Sequence, residues 1–245
     1  MKLYGLLGKT LKHSFSKAYF TNKFSALHID SRYENFELAA INELPQLLKS
    51  HPFLEGLNVT IPYKEEVLPF LHNKNDIVKE IDACNCIKIS DGKLIGYNTD
   101  VVGFQRSLEK VLEPHHKKAL VLGTGGAAKA VQYALKKIGI LYTEVSRVKK
   151  ESAITYDEVN EQILSDHQLI VNTSPIGMFP NIEEMPPIPY DYIAPGHLLF
   201  DLIYNPEKTL FLKKGEEMGA KIANGKEMLI LQAEESWRIW NSNSL

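Results

Sequence analysis

The stretch that most constrains the fold begins at Ala119. A continuous apolar run, Ala119-Leu120-Val121-Leu122, leads into Gly123-Thr124-Gly125-Gly126, and apolar residues then recur at Ala127, Ala130, Val131, Ala134, Leu135 and Ile138. The run predicts a strand buried on both faces, and the spacing after it predicts a helix with one apolar face. This succession points the helix's unpaired N–H groups and positive dipole end at whatever lies beyond the strand, the environment a pyrophosphate requires. Gly123 permits the tight turn, Gly125 leaves room for phosphate to approach the backbone, and Ala128 still allows close helix–strand packing. A glycine pattern alone is weak evidence, and the flanking strand and helix are what make this one a dinucleotide turn.

Further strands are predicted at residues 141–146, 169–172 and 198–202, separated by helix-compatible stretches. This βαβ rhythm implies a doubly wound parallel sheet. A site for NAD usually carries an acidic residue about 20 positions after the glycines, on the ribose 2′-hydroxyl. Glu144 comes slightly early for that, and the strand ends Ser146-Arg147, followed by Lys149 and Lys150. A guanidinium fork and neighbouring ammonium groups suit a 2′-phosphate, so NADP is favoured over NAD. The competing reading is an ordinary solvated basic loop.

The first hundred residues also alternate. Strands are expected at 3–7, 32–38 and 56–61, and helices at 16–27, at 41–48 and from Pro62 onward. Residues 84–89 and 93–97 flank Asp91-Gly92, a hairpin signal. Asn98-Thr99-Asp100 offers caps to a helix over 101–112, which leads into the polar segment 113–118, read as a solvated linker. Its paired histidines, His115 and His116, lack a visible third metal ligand. Residues 228–240 close the chain as an amphipathic helix.

With 245 residues, 44% of them hydrophobic, the chain fits one large or two medium domains with a substantial core. Its formal charge of −2 gives no footprint for nucleic acid or anionic membrane. No apolar run approaches the ~20 residues of a membrane span, and the polar residues after Gly8 interrupt any signal-peptide reading. The two cysteines, Cys84 and Cys86, are poorly spaced for a disulfide and lack companions for a metal, so a reducing cytosol is expected.

Several polar residues fall where predicted elements begin or end. Asn58 and Thr60 share a strand face, and Lys64 opens a helix where the dipole is unfavourable to an ammonium group. Asp100 opens another helix, where the dipole favours a carboxylate. A Lys–Asp pair facing a hydroxyl could move a proton while a nicotinamide exchanges hydride. Taken singly, Lys64 reads as a surface lysine and Asp100 as a plain N-cap. His13 beside Ser14 lacks the strand–nucleophile–helix elbow and third member of a hydrolytic triad.

Together these segments resemble the shikimate dehydrogenase family along nearly the whole chain. The resemblance is carried by His13-Ser14-Phe15-Ser16, Asn58-Val59-Thr60-Ile61-Pro62-Tyr63-Lys64 and Gly96-Tyr97-Asn98-Thr99-Asp100. It continues through Gly123-Thr124-Gly125-Gly126-Ala127, Asn172-Thr173-Ser174-Pro175-Ile176-Gly177-Met178, Asp201-Leu202-Ile203-Tyr204-Asn205-Pro206 and Met228-Leu229-Ile230-Leu231-Gln232. It implies an α/β fold: an N-terminal substrate domain, 1–100, completed by the helix 227–245, and a Rossmann-like NADP-binding domain, 101–226, with 101–112 as linking helix. It implies an oxidoreductase acting on a CH–OH group, which reversibly reduces 3-dehydroshikimate to shikimate with NADPH, on the chorismate route to aromatic amino acids.

By motif position, the resemblance makes Lys64 and Asp100 the catalytic pair. Ser14, Ser16, Asn58, Thr60, Asn85, Tyr204 and Gln232 join them as substrate binders. Gly123, Thr124, Gly125, Gly126, Ala127, Ser146, Arg147, Thr173, Leu202 and Gly225 become cofactor contacts. No metal, nucleic acid or membrane partner is implied, and the expected state is a cytoplasmic monomer or homodimer. The chain departs from the family at Asp82, Cys86, Ser146 and Val148, where Gly, Thr, Asn and Thr are usual, and at Asn224 and Glu227, where glycines are common. The alternatives are a quinate/shikimate relative using NAD, and a non-catalytic dinucleotide sensor.

Overall fold

Strand β1 (Lys2–Gly8) leads into helix α1 (Phe15–Ala26) and strand β2 (Ser31–Glu37), followed by α2 (Leu44–Ser50), β3 (Leu54–Val59) and the single-turn α3 (Tyr63–Glu66). Then come β4 (Asn73–Lys74), α4 (Asp76–Ile81), β5 (Cys86–Ser90) and β6 (Lys93–Tyr97). The structure, a computed structural model, describes residues 1–11 and 14–242, so His13 of the first motif lies outside the described residues. Two compact units emerge: Met1–Thr99 with Ala233–Leu245, and Asp100–Gln232.

The first unit is built on a sheet of order β2-β1-β3-β5-β6-β4. The β1 strand runs parallel to β2 and β3, whereas β5 is antiparallel to both β3 and β6. The β5–β6 hairpin turns on Asp91 (φ 50°) and Gly92 (φ 71°), the two positive φ angles that a type I′ turn needs. Side-chain alternation sends Leu7, Leu57 and Val59 into one apolar cluster with Tyr63, Val67 and Ile87. The other face carries Tyr4, Phe20, Phe24, Tyr33 and, from the C-terminal helix, Trp240. Tyr4 stacks on Trp240 with ring centroids 4.8 Å apart, and the indole Nε1 donates to the Ile87 carbonyl at 3.0 Å. Gly56 has no side chain because a Cβ there would collide with that indole.

The second unit comprises α5 (Thr99–Glu109), β7 (Lys118–Leu122), α6 (Gly126–Lys137), β8 (Leu141–Ser146), β9 (Ala153–Thr155), α7 (Glu161–Asp166), β10 (Leu169–Asn172), β11 (Leu198–Asp201), α8 (Leu210–Glu217), β12 (Lys221–Ala223) and α9 (Lys226–Asn241). Thr99 and the residues of α9 from Ala233 onward count with the first unit. Its sheet is parallel throughout, in the order β12-β11-β10-β7-β8-β9. The chain winds outward to one side from β7 and to the other from β10. Their shared carboxyl edge is therefore the topological switch point, where such sheets bind ligands. Leu120, Leu122, Val145, Ile170 and Leu199 pack with Phe211 and Leu212 on one side, while Phe104 meets Phe200 edge-on at 5.2 Å.

Residues 113–118 lie inside the second unit and so do not link two units; Pro114, His115, Lys117 and Lys118 are solvated as their polarity suggested, and His116 is buried. His116 is 3% exposed, and its Nδ1 accepts the Glu113 N–H at 2.9 Å, while Lys221 pairs with Glu113 at 2.5 Å. Among the described residues, no helix is long and apolar enough to cross a membrane, and no group of three or more His, Cys, Asp or Glu could hold a metal ion.

Candidate active site

In the first unit, the polar residues singled out by sequence gather at the carboxyl ends of β1 and β3. Ser14 is the N-cap of α1, its Oγ accepting the Lys17 N–H at 3.1 Å. Ser16, in the first turn, is buried and hydrogen-bonds the Tyr33 phenol, whose pKa burial pushes far above the ordinary range despite that bond. Tyr33 in turn donates to Asn58 Oδ1 at 2.8 Å. The Asn58 amide donates to Ser236 Oγ at 2.9 Å and to the Asn85 carbonyl at 3.4 Å. Asn85 Oδ1 accepts the Thr99 N–H at 2.6 Å, and its amide donates to Thr99 Oγ1 at 3.1 Å. Thr99 Oγ1 lies 3.2 Å from Ser236 Oγ.

Asn58 and Asn85 thus belong to a buried polar chain, Ser16–Tyr33–Asn58–Ser236–Thr99–Asn85, that satisfies their amides from within the protein. Beyond it, Thr60 is half-buried, its N–H bonded to the Leu7 carbonyl at 2.9 Å. Lys64 is half-buried on α3, and its carbonyl accepts the Cys84 N–H at 2.8 Å, which locks the helical turn to the segment before Asn85. Asp82, standing where glycine is usual, takes the left-handed conformation (φ 49°) that ends α4. Asp is among the few non-glycine residues that tolerate it.

Tyr33, Thr99 and Ser236 were missed as site residues by sequence reasoning. Ser236 had a signal, since it lies four residues beyond Gln232 on the same helix face.

In the second unit, Asp100 sits in the first turn of α5 and is 9% exposed. Gln232 of α9 is 6% exposed and donates to the Leu229 carbonyl at 3.0 Å. Gly103 of α5 lets the two helices approach: a Cβ there would lie 2.9 Å from that of Gln232. Tyr204 is half-buried, and burial raises its phenol's pKa.

The glycine turn lies at the switch point. Gly123 has φ 122°, and a Cβ on it would come within 2.6 Å of Thr173 Oγ1, so the turn tolerates no side chain there. Gly125 is the N-cap of α6 without a side-chain cap, and an added Cβ on Gly125 or Gly126 meets nothing within 4 Å. The open space and the uncapped first turn of a 12-residue helix fit a dinucleotide pyrophosphate. Ala127, the next residue of α6, is half-buried beside it.

At the exit of β8, Ser146 is buried and Arg147 is exposed. Lys149 is engaged by Glu158 at 2.5 Å, and Lys150 donates to Thr124 Oγ1 of the glycine turn at 2.8 Å. Glu144, the carboxylate weighed for a ribose hydroxyl, is hydrogen-bonded by Gln132 of α6.

Leu202 and Gly225 also come together, since a Cβ on Gly225 would collide with the Leu202 carbonyl. Asn224 and Glu227 are engaged by protein groups: Asn224 Oδ1 accepts the Lys226 N–H at the start of α9, and Glu227 pairs with Lys110. Asn172 and Asp201 head two of the sequence motifs without a role read for them, and Thr209 was not singled out; the three share hydrogen bonds at the exits of β10 and β11. Asn172-Thr173-Ser174 did carry a signal, because an Asn side chain bonding two residues ahead makes an Asx-turn.

Residues 6–87 match the model of the shikimate dehydrogenase substrate binding domain. A shikimate dehydrogenase (NADP(+)) of Caldicellulosiruptor bescii is 41% identical over 257 residues, covering 98% of this chain and 89% of the relative. The crystal structure of shikimate dehydrogenase from Aquifex aeolicus is similar with a TM-score of 0.88 and 36% identity, over 98% of this chain and 92% of its own. The Thermus thermophilus enzyme, solved in complex with NADP(H) and shikimate, gives a TM-score of 0.88 and 28% identity, over 98% and 94% of the two chains. With likeness extending over nearly its whole length, the chain belongs to the shikimate dehydrogenase family.

Proposed function

We propose that the chain is an NADP-dependent oxidoreductase that reversibly reduces 3-dehydroshikimate to shikimate in the cytoplasm, within aromatic amino acid biosynthesis. The observation that carries this reading is the open, uncapped start of α6 beneath Gly125 and Gly126, in a chain aligned along 98% of its length with NADP(+)-dependent shikimate dehydrogenases. Gly123 to Ala127 would hold the pyrophosphate, with Thr173, Leu202 and Gly225 near the nicotinamide and Ser146 and Arg147 at the adenosine end. Glu144 is engaged by Gln132, whereas the Arg147 side chain is exposed at the strand exit, which supports a 2′-phosphate over a free ribose hydroxyl.

When bound, NADPH supplies the hydride. The Lys64 ammonium donates a proton to the substrate's C3 oxygen as negative charge develops there, and in the oxidative direction the neutral amine takes it back. Asp100 is assigned to the neighbouring hydroxyl and to supporting the charge on Lys64. Ser14, Ser16, Thr60, Tyr204 and Gln232 are assigned to the remaining hydroxyl and carboxylate groups. The inward bonding of Asn58 and Asn85 gives those two the further task of holding these segments in place.

Lys64→Ala tests the assignment. The variant still folds and still binds shikimate but loses turnover by about 10²–10⁴-fold, the range of a general acid–base group. Near-normal turnover contradicts the role given to Lys64.

A further inference from the structure

The exits of β10 and β11 hold a buried carboxylate that the mechanism does not use. Asp201, the last residue of β11, is 0% exposed and cannot touch a ligand. Its Oδ1 accepts the Ile203 N–H at 3.0 Å and the Asn172 amide at 3.1 Å, and its Oδ2 accepts the Thr209 hydroxyl at 2.6 Å. Asn172, the last residue of β10, accepts both the N–H (3.0 Å) and the hydroxyl (2.7 Å) of Ser174 through its own Oδ1. The Leu202 N–H bonds the Asn172 carbonyl at 3.0 Å, and the Gly225 N–H bonds the Ile203 carbonyl at 3.0 Å. Thr209 is the N-cap of α8. One carboxylate therefore ties together the strand ends that lead into Thr173 and Leu202, and Gly225 is attached to the same segment through its backbone bond to Ile203.

We propose that Asp201 is a positioning residue of the dinucleotide site, its carboxylate clamping the exits of β10 and β11 to the start of α8 and so fixing the backbone at Thr173 and Leu202 that borders the cofactor. The inference rests on the reading that this site takes NADP(H). A buried carboxylate is costly unless its oxygens are hydrogen-bonded, and here three donors converge on two oxygens. Burial raises the Asp201 pKa to about 6 against the pull of these bonds, so the clamp changes charge just below neutrality. Tyr190 is the ionisable group that feels its field, and that phenol is pushed up by burial and stays neutral. Its three hydrogen-bond donors, Thr209, Asn172 and the Ile203 N–H, are uncharged. Protonating the carboxyl turns one acceptor into a donor and opposes one of the three bonds.

The test is fluorescence titration of the ligand-free protein with NADPH at pH 7.5 and 5.5, alongside thermal unfolding. Asp201→Asn is expected to raise the NADPH Kd by about tenfold at pH 7.5, as for a lost charge-assisted hydrogen bond. The wild type is expected to lose more affinity than the variant between pH 7.5 and 5.5. Titration of the ligand's own phosphate is common to both proteins. Thr209→Val should weaken NADPH binding and Thr209→Ser should restore it, and this pair carries the test if Asp201→Asn does not fold. Wild-type NADPH affinity in folded Asp201→Asn at both pH values, or in Thr209→Val, overturns the proposal even if unfolding midpoints fall. A wild-type protein that binds no NADPH refutes the cofactor reading itself.

Discussion

Removing one buried hydroxyl from the first unit tests how its polar chain is built. Ser236 is 0% exposed, accepts from the Asn58 amide at 2.9 Å and lies 3.2 Å from the Thr99 hydroxyl. In Ser236→Ala, Thr99 keeps its bond from the Asn85 amide at 3.1 Å. Asn58 fares worse, because its amide retains only the long 3.4 Å bond to the Asn85 carbonyl while Oδ1 stays committed to Tyr33. One buried donor is left nearly unsatisfied, at a cost of about 1–3 kcal/mol. For a chain of this length, a loss of about 2 kcal/mol lowers the unfolding midpoint by roughly 4–8 °C. Urea unfolding followed by tryptophan fluorescence suits the assay, because Trp237 and Trp240 lie on the same helix as Ser236. A Ser236→Ala protein within about 0.5 kcal/mol of wild type, the usual range for a neutral substitution, would refute the inward orientation of the Asn58 amide.

Two further outcomes follow from the second unit. Arg147→Ala should raise the NADPH Kd by about 10–100-fold, as for a lost hydrogen bond to a charged group, and leave NADH binding nearly unchanged; equal losses for both would contradict a 2′-phosphate contact. The folded Asp201 carboxyl titrates near 6 rather than 3.8, so its contribution to stability is fully present below pH 3.8 and is lost as pH rises through about 6. That shift corresponds to about 3 kcal/mol. Between pH 4 and pH 7 the wild type should therefore lose more unfolding free energy than Asp201→Asn, in which other carboxylates titrate alike; parallel curves would contradict the raised pKa.

The second unit was the more legible half in the sequence. Its central strands are continuous apolar runs, its helix has a clear period, and its glycine turn joins the two without a gap. Even there, the short strands β9 and β12 carried too little pattern to be read. In the first unit, the periodic segments gave most of the elements. The two-residue β4 and the helix α4, capped by Asn75, did not stand out from their neighbours.

Side-chain direction was harder to read than backbone. Alternation places Asn58 and Thr60 on one face, but the partners that turn the Asn58 amide inward, Tyr33 and Ser236, lie 25 and 178 residues away. Nor does sequence show that Glu227 is drawn to Lys110, 117 residues distant, or that His116 spends its ring nitrogen on Glu113. Polar composition alone made residues 113–118 look like a linker, because a histidine that satisfies a backbone N–H inside the fold resembles one in water.

The reaction and its cofactor are decided together by steady-state oxidation of shikimate and of quinate, each with NADP and with NAD. Turnover is expected to be fastest with shikimate and NADP and clearly lower in the other three combinations. A preference for quinate with NAD, or no turnover in any combination by a folded protein that binds NADPH, would contradict that assignment.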